Sequence, residues 1–460
     1  MRAAGAPPVS PGAELELSID SLAFGARGVG RVDGFVVFVD GGLPGDLVRA
    51  RIHRVKRRHA EATAVAVLAP GPDRVVAPCA HFPECGGCRL QNLAYPAQAA
   101  LKERQVRDAI VRIAGVAGAA IAPIVRANEP YAYRNKLEYA FTNTADGVAA
   151  GLHPAGRFDD VIPITRCWLT SDLGNAIRDV VQIWARAQGL RAYDQRTGSG
   201  YLRHLVVREA RTTGAALVLL VTAEGELPAR DALRDALHPL PAVRSVHWAV
   251  NSGVSEVTNR PAVLIAGDAT MDEEILGLRF TVGPTTFLQT NTTMVERLYG
   301  IALEACALRG DELVFDLYCG VGPISLALAR RVARVFGMEL STESVARAAE
   351  NAARNGIANT TFVAGDVARH LSRLLELAGR APDLIVVDPP RAGLGPKALR
   401  RIAELSPPRI VYVSCNPTTL AGDAGVFVTH GYQLASVQPL DMFPQTPHVE
   451  AVALFVASAS

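Results

Sequence analysis

The stretch ELVFDLYCGVGPISLALARR, Glu312–Arg331, reads as a buried strand, a glycine-bearing loop and a helix. Its apolar run up to Leu317 lacks polar alternation, as expected of a strand covered on both faces, and Gly320 and Gly322 free the backbone for a tight turn. Outward from it the pattern repeats. ARVFGMEL (Ala333–Leu340) is a second strand, Thr342 to Asn355 a helix and TTFVAGD (Thr360–Asp366) a third strand. Strands alternating with helices predict a doubly wound, Rossmann-like α/β sheet with parallel strands, which binds ligands beyond the carboxyl ends of those strands.

Glu339 ends the second strand about 20 residues past Asp316, the distance at which an acid reaches ribose hydroxyls. No phosphate-binding P-loop is present. A glycine loop and a ribose acid without phosphate apparatus favour an adenosyl ligand that carries no phosphates, S-adenosylmethionine, over NAD or ATP. Two later strands end in chemistry: DLIVVDPPRAG places Asp388 before a Pro-Pro corner, and RIVYVSCNP places Cys415 at a strand tip. Both are expected to face one cleft.

The whole chain, 460 residues at 49% hydrophobic content, is too long for one core and predicts about three domains. The Ala/Pro/Gly-rich residues 1–12 are expected to form a disordered tail. Residues 13–72 carry short alternating strands separated by Gly-rich turns, which predicts a small OB-like β-barrel. Pro70, Pro72 and Pro78 form a natural linker into residues 73–275, a mixed α+β region with a helix in YPAQAALKERQVRDAIVRIAG and strands in HLVVREA, AALVLLVT and SVHWAV. The doubly wound domain takes 276–460.

No window approaches the roughly 20 apolar residues of a membrane span. The first residues lack the apolar core of a secretion signal, so a cytoplasmic protein without membrane partners is expected. With a net charge of +2, attraction to an anionic partner must come from local clusters. RARIHRVKRRHAEA supplies one, packing Arg49, Arg51, Arg54, Lys56, Arg57 and Arg58 onto a strand that can present guanidinium groups to phosphate.

Seven cysteines without an export signal argue against a disulfide framework. Cys79, Cys85 and Cys88 sit together in CAHFPECGGCRLQ, where two glycines let the backbone wrap closely. That spacing suits thiolates around an iron-sulfur cluster, or zinc, with Cys167 the best-placed fourth ligand. The gap between Cys79 and Cys85 is not that of radical S-adenosylmethionine enzymes.

With Asp388-Pro389-Pro390-Arg391, Ser414-Cys415-Asn416-Pro417 and DMFPQTPHVE (Asp441–Glu450) in one chain, the sequence closely resembles the RNA uracil-5-methyltransferase family, in its iron-sulfur-containing 23S ribosomal RNA branch. The resemblance spans nearly the whole chain. ARGVGRVDGFVVFVDGGLPGD (Ala26–Asp46) is similar to the family's RNA-binding TRAM barrel, and Cys79, Cys85, Cys88 and Cys167 match its 4Fe-4S ligands.

The resemblance implies roles that the chemistry also requires, because C5 of uracil is too weak a nucleophile to attack a methyl sulfonium unaided. Cys415 is the implied nucleophile: its thiolate adds to C6, C5 takes the methyl group, a base removes the C5 proton, and the thiolate leaves. The helix TTLAGDAGVF that follows is expected to lower the thiol's pKa through its N-terminus. Glu450 matches the proton-abstracting carboxylate, made more basic by heading an apolar strand. Asp388 matches the acid that holds the uracil edge or the methionine end of the cofactor. Gln289 in FLQTN matches a cofactor- or base-contacting glutamine, and Tyr318, Gly320, Glu339 and Asp366 match the remaining cofactor contacts. Pro323 departs from relatives with Asn there and offers no side-chain hydrogen bond. Cys306 and Cys319 carry no assigned role.

Other readings fit less well. RNA cytosine-5-methyltransferases place a second cysteine where this chain has DPPR; adenine N-methyltransferases follow the Pro-Pro corner with an aromatic, where Arg391 stands, and leave Cys415 without a task. The alternatives carried forward are the T-loop uridine of tRNA as target, and a non-catalytic RNA-binding assembly protein. A monomer is expected.

Overall fold

The computed structural model describes residues 7–253 and 260–458. Its N-terminal unit is a six-stranded sheet from Glu14–Ser18 to His59–Ala69. The first two strands lie at opposite edges of that sheet, yet only Ile19 and Asp20 separate them in the chain. The sheet must therefore curl until its edges meet, around a core of alternate residues such as Val37, Val39, Val48, Ala50 and Ile52. Residues 1–6 of the expected tail lie outside the described residues. Residues 7–12 depart from disorder, since Val9 packs on the barrel core and the Gly12 N–H donates to the Ile52 carbonyl at 2.7 Å.

The proline linker is also held. The buried carboxylate of Asp46 accepts from the Gly71 N–H at 2.8 Å and from Arg74 Nη2 at 2.5 Å, locking the chain as it leaves the barrel.

A seven-stranded, mostly antiparallel sheet follows, with Leu202–Ala210 and Ala215–Thr222 near its centre. Strand periodicity divides its faces. Ala216, Val218 and Leu220 face one core with the helix Asp172–Ala187, whereas Leu217, Leu219 and Val221 face another with the hairpin Met271–Ile275/Leu278–Val282. The hairpin turns at Leu276 and Gly277, and residues of both its strands share a continuous core with the C-terminal domain.

The C-terminal sheet contains β1 (Leu313–Leu317), β2 (Arg334–Glu339), β3 (Thr360–Ala364), β4 (Leu384–Val387), β5 (Arg409–Ser414), β6 (Tyr432–Leu440) and β7 (Glu450–Ala457). Their order is 3-2-1-4-5-7-6, with the short strand Ala120–Ile121 beside β6. The first five pair in parallel and only β7 runs against its neighbours. This is the doubly wound α/β arrangement, its apolar strands covered on both faces.

Helix Tyr95–Arg112 ties the cysteine loop to this domain. Lys102 on it is fully buried and donates to Asp441 at 2.6 Å and to the Phe443 carbonyl at 3.0 Å. Burial holds the ammonium below the usual lysine range, with Asp441 opposing that shift. Removing one partner of such a pair strands a buried charge, whereas removing both leaves an apolar contact. Lys102→Met is expected to destabilise by about 3–5 kcal/mol, and adding Asp441→Leu to recover most of it. Urea unfolding of the three proteins checks this; equal loss in single and double variants would contradict it.

Candidate active site

The glycine loop leaves β1 through backbone conformations that few residues accept. Tyr318, Gly320 and Gly322 have φ of 66°, 54° and 89°, and a Cβ at Gly322 would lie 3.3 Å from Ala348 Cβ and 3.4 Å from the Phe362 ring. Glycine is required there. At Gly320 an added Cβ would meet no protein atom within 4 Å, so this turn faces open space. The Tyr318 and Cys319 N–H groups both donate to the Met338 carbonyl at the end of β2, pinning the loop beside Glu339. Pro323 occupies the first helical position, where a missing N–H costs nothing.

Four groups surround this loop. Glu339 accepts from the Gly320 N–H at 3.3 Å and from the Ser341 N–H at 2.9 Å. Asp366 stands at the N-cap of helix Val367–Ala378 without capping it, so its carboxylate is not spent on the helix. Tyr318 is half-buried near Asp366, Asp423 and Glu339, and burial raises its hydroxyl to about 12. Beneath them Asp316 is fully buried, accepts from Ser325 Oγ at 2.5 Å, and is pushed up to about 7 by that burial. Gln289 lies in the segment joining the hairpin to helix Thr292–Ala305, and its carbonyl accepts from Asn135 Nδ2 at 3.1 Å.

At the next strand ends the antiparallel register decides the geometry. Ser414 of β5 pairs with Ala451 of β7, so Cys415 and Glu450 are the next residues abreast. Asp388, one residue past β4, joins them electrostatically. Glu450 is 2% exposed; burial, then the Asp388 charge, raises its carboxyl to about 8, against the pull of Arg391. Burial and the Asp316 charge push Asp388 up to about 7. Carboxyls with these values exchange protons near neutral pH.

The thiol behaves differently from expectation. Burial, Glu450 and Asp388 raise Cys415 to about 11, opposed by Arg391. The helix behind it, Pro417–Thr429, offers little relief: Pro417 has no N–H, and the Thr418 N–H is taken by the Asn416 side chain at 3.0 Å. Three groups near this cleft were given no role from sequence. Arg391 supplies its cation, His448 receives a hydrogen bond from Arg391, and buried Tyr299 lies near Asp388, Asp316 and Glu450. The DPPR and TPHVE motifs held the signal for the first two.

A second site gathers the cysteines. Cys79, Cys85, Cys88 and Cys167 line a cavity of 390 Å³ together with Phe82, Trp168 and Leu288. Gly86 is needed there, because a Cβ would sit 2.8 Å from the His153 carbonyl. Burial first, with neighbouring thiols adding to it, raises Cys85 to about 11 and Cys88 to about 12. Among the described residues, no group of three or more His, Cys, Asp or Glu side chains is arranged to hold a metal. Leu288 and Thr290, on the wall of this cavity, flank Gln289. Cys306 and Cys319 are buried elsewhere.

Around the barrel, Arg51 pairs with Glu14 at 2.6 Å, Arg49 with Glu16 at 3.7 Å and Lys56 with Glu61 at 3.0 Å. Half of the basic cluster is thus neutralised locally. Arg57 and Arg58 have no ion pair among the described residues.

The tRNA (uracil-5-)-methyltransferase family matches residues 274–457, and the TRAM domain matches residues 8–65. Over 449 residues the chain is 36% identical to an uncharacterized RNA methyltransferase of Halalkalibacterium halodurans, covering 97% of this chain and 98% of that one. An uncharacterized RNA methyltransferase of Nitratidesulfovibrio vulgaris is 40% identical, with 96% of each chain covered. The chain belongs to the RNA uracil-5-methyltransferase family. As an RNA uracil-5-methyltransferase it uses S-adenosylmethionine, acts on RNA and carries a TRAM domain. A solved structure of the same architecture is the Pyrococcus abyssi tRNA (uracil-54, C5)-methyltransferase in complex with S-adenosyl-L-homocysteine. It is 27% identical with a TM-score of 0.77, over 96% of this chain and all of that one. No helix among the described residues is long and apolar enough to cross a membrane.

The raised thiol gives a direct test. Thiolate is the form that alkylates, so Cys415 labelling by iodoacetamide in RNA-free protein is expected to climb from pH 7 to 10 without a plateau. Glu450→Gln removes a raising charge and is expected to speed labelling at pH 8. Peptide mass spectrometry reads both rates, and a plateau near pH 7 would count against this electrostatic picture.

Proposed function

We propose that this enzyme methylates C5 of a uridine in RNA through a covalent bond between Cys415 and C6 of the ring. The observation that carries this reading is the register that sets Cys415 abreast of Glu450, with Asp388 beside them. Cys415 loses its proton to the Asp388 carboxylate and adds to C6, leaving C5 electron-rich and the Glu450 carboxylate free as the later base. S-adenosylmethionine supplies the methyl group that C5 takes. Glu450 then removes the C5 proton, and the ring expels the Cys415 thiolate. Arg391 favours the anionic forms of both residues. Asp388 holds the uracil edge or the methionine end of the cofactor. Gln289, Tyr318, Gly320, Glu339 and Asp366 hold the cofactor; the uncommitted Asp366 carboxylate and the open space at Gly320 suit that role.

We further propose that Cys79, Cys85, Cys88 and Cys167 bind a 4Fe-4S cluster. The four thiols line one cavity of 390 Å³, which leaves room for a group with several metal atoms. When bound, such a cluster supplies the positive charge that four thiolates, three of them buried, require.

The resemblance favours 23S ribosomal RNA as substrate, with the TRAM barrel and the unpaired Arg57 and Arg58 as its anchor. The likeness to the Pyrococcus abyssi enzyme favours a second reading, uridine 54 of tRNA.

RNA containing 5-fluorouridine is expected to trap wild-type protein as a covalent complex that Cys415→Ala cannot form. On ordinary uridine, Glu450→Gln is expected to stall as an adduct that already carries the methyl group. Gel shift under denaturing conditions checks both, and normal turnover by Cys415→Ala would refute the mechanism. Mapping 5-methyluridine in ribosomal and transfer RNA of a deletion strain decides the substrate. Anaerobically purified protein is expected to hold iron and sulfide, and colourless protein with stoichiometric zinc would exclude the cluster.

A further inference from the structure

Arg391 is a surface-exposed side chain at the rim of the cleft, yet it is tethered at both ends. Its carbonyl accepts from Asn416 Nδ2 at 3.2 Å and from Thr419 Oγ1 at 3.4 Å, next to Cys415. Its guanidinium Nη2 lies 3.0 Å from His448 Nδ1. Arginine has no acceptor, so it donates and Nδ1 must present a lone pair. The surroundings keep the ring in that form, because burial and the charges of Arg391, Lys102 and Arg134 hold His448 near 4.

His448 is itself oriented from behind. Its backbone N–H donates to Thr446 Oγ1 at 3.3 Å, and Thr446 Oγ1 donates to the Phe443 carbonyl at 2.8 Å, which Lys102 also holds. The ring stands edge-on to Phe443, with centroids 6.3 Å apart.

We propose that His448 is a positioning residue whose neutral Nδ1 fixes the Arg391 guanidinium where its charge favours the Cys415 thiolate and the Glu450 carboxylate. A free arginine at a cleft rim would spread over many rotamers, most of them directed to solvent, and its field at the thiol would fall with distance. The inference rests on the proposed covalent role of Cys415.

Trapping on 5-fluorouridine RNA tests it. A wild-type adduct that Cys415→Ala abolishes establishes the covalent reading first; no wild-type adduct would overturn that reading rather than the role of His448. Given the adduct, His448→Phe is expected to slow its formation about 100-fold, as a misplaced catalytic charge does, with S-adenosylmethionine affinity unchanged by calorimetry. His448→Asn, whose Oδ1 reproduces the Nδ1 acceptor, is expected to stay within about threefold of wild type. In an Arg391→Lys background His448→Phe is expected to add little, because the two residues act as one unit. If His448→Phe does not fold, His448→Gln replaces it, since its amide reaches the Nε2 position instead. His448→Asn as slow as the Phe or Gln variant, or an equal further loss in the Arg391→Lys background, would overturn the proposal.

Discussion

Ser414 faces Ala451 across the antiparallel β5–β7 pair, and this register puts a thiol and a carboxyl abreast at the mouth of an otherwise parallel sheet. The parallel pair β4 and β5 ends at one rim and delivers Asp388 and Cys415 there. Because β7 runs the other way, it begins where β5 ends. Glu450 is therefore the first residue of its strand and Cys415 the residue just after its own. Cross-strand neighbours lie about 4.5–5.5 Å apart at Cα, close enough for one ring to meet both side chains. A shift of one residue would turn Glu450 to the other face of the sheet.

That register depends on where the turn before β7 is anchored. Asp441 opens the turn against buried Lys102, and Gln445, at φ 67°, holds its left-handed conformation inside a closed set of partners. The Arg89 and Leu90 N–H groups donate to its carbonyl at 2.9 and 3.1 Å, while its amide exchanges hydrogen bonds with Gln98. A non-glycine residue in this region persists only where its surroundings over-determine it. Arg89 and Leu90 directly follow Cys88, so the cysteine loop is one of the clamps on the turn that carries His448 and Glu450.

Much of this was legible in the sequence because the doubly wound domain is built from local rules. Unbroken apolar strands, a glycine loop and acids at strand ends mark positions along the chain that the sheet keeps in order, which is why Glu339, Asp366, Asp388 and Cys415 lie at carboxyl ends of strands. Cys79, Cys85 and Cys88 were visible as a cluster in the sequence, whereas Cys167, far along the chain, joins their cavity only through the fold. The central sheet was harder, since its faces pack against two different cores and its apolar runs, such as Ala215–Thr222, show no alternation. Arg391 and His448 were read as family signature and not as a pair, because they lie 57 residues apart and no period in the sequence relates them. The proton affinity of Cys415 was misjudged for a related reason: the helix after it was visible, but the Asn416 side chain that consumes its N–H was not.

The electrostatics of the cleft follow from the same burial that shapes it. A thiol permanently ionised beside solvent would react with any electrophile, whereas one raised to about 11 between acids near 7 and 8 stays protonated at rest. On the proposed chemistry, its proton passes to the Asp388 carboxylate when a uracil arrives, and the Arg391 cation offsets the negative charge that then builds up. That division of labour assigns reactivity to the occupied cleft and stability to the empty one. Arg391 already lowers the thiol's pKa in the empty cleft, without overcoming burial and the two acids, and a base that excludes water from the cleft would strengthen that charge when the addition takes place.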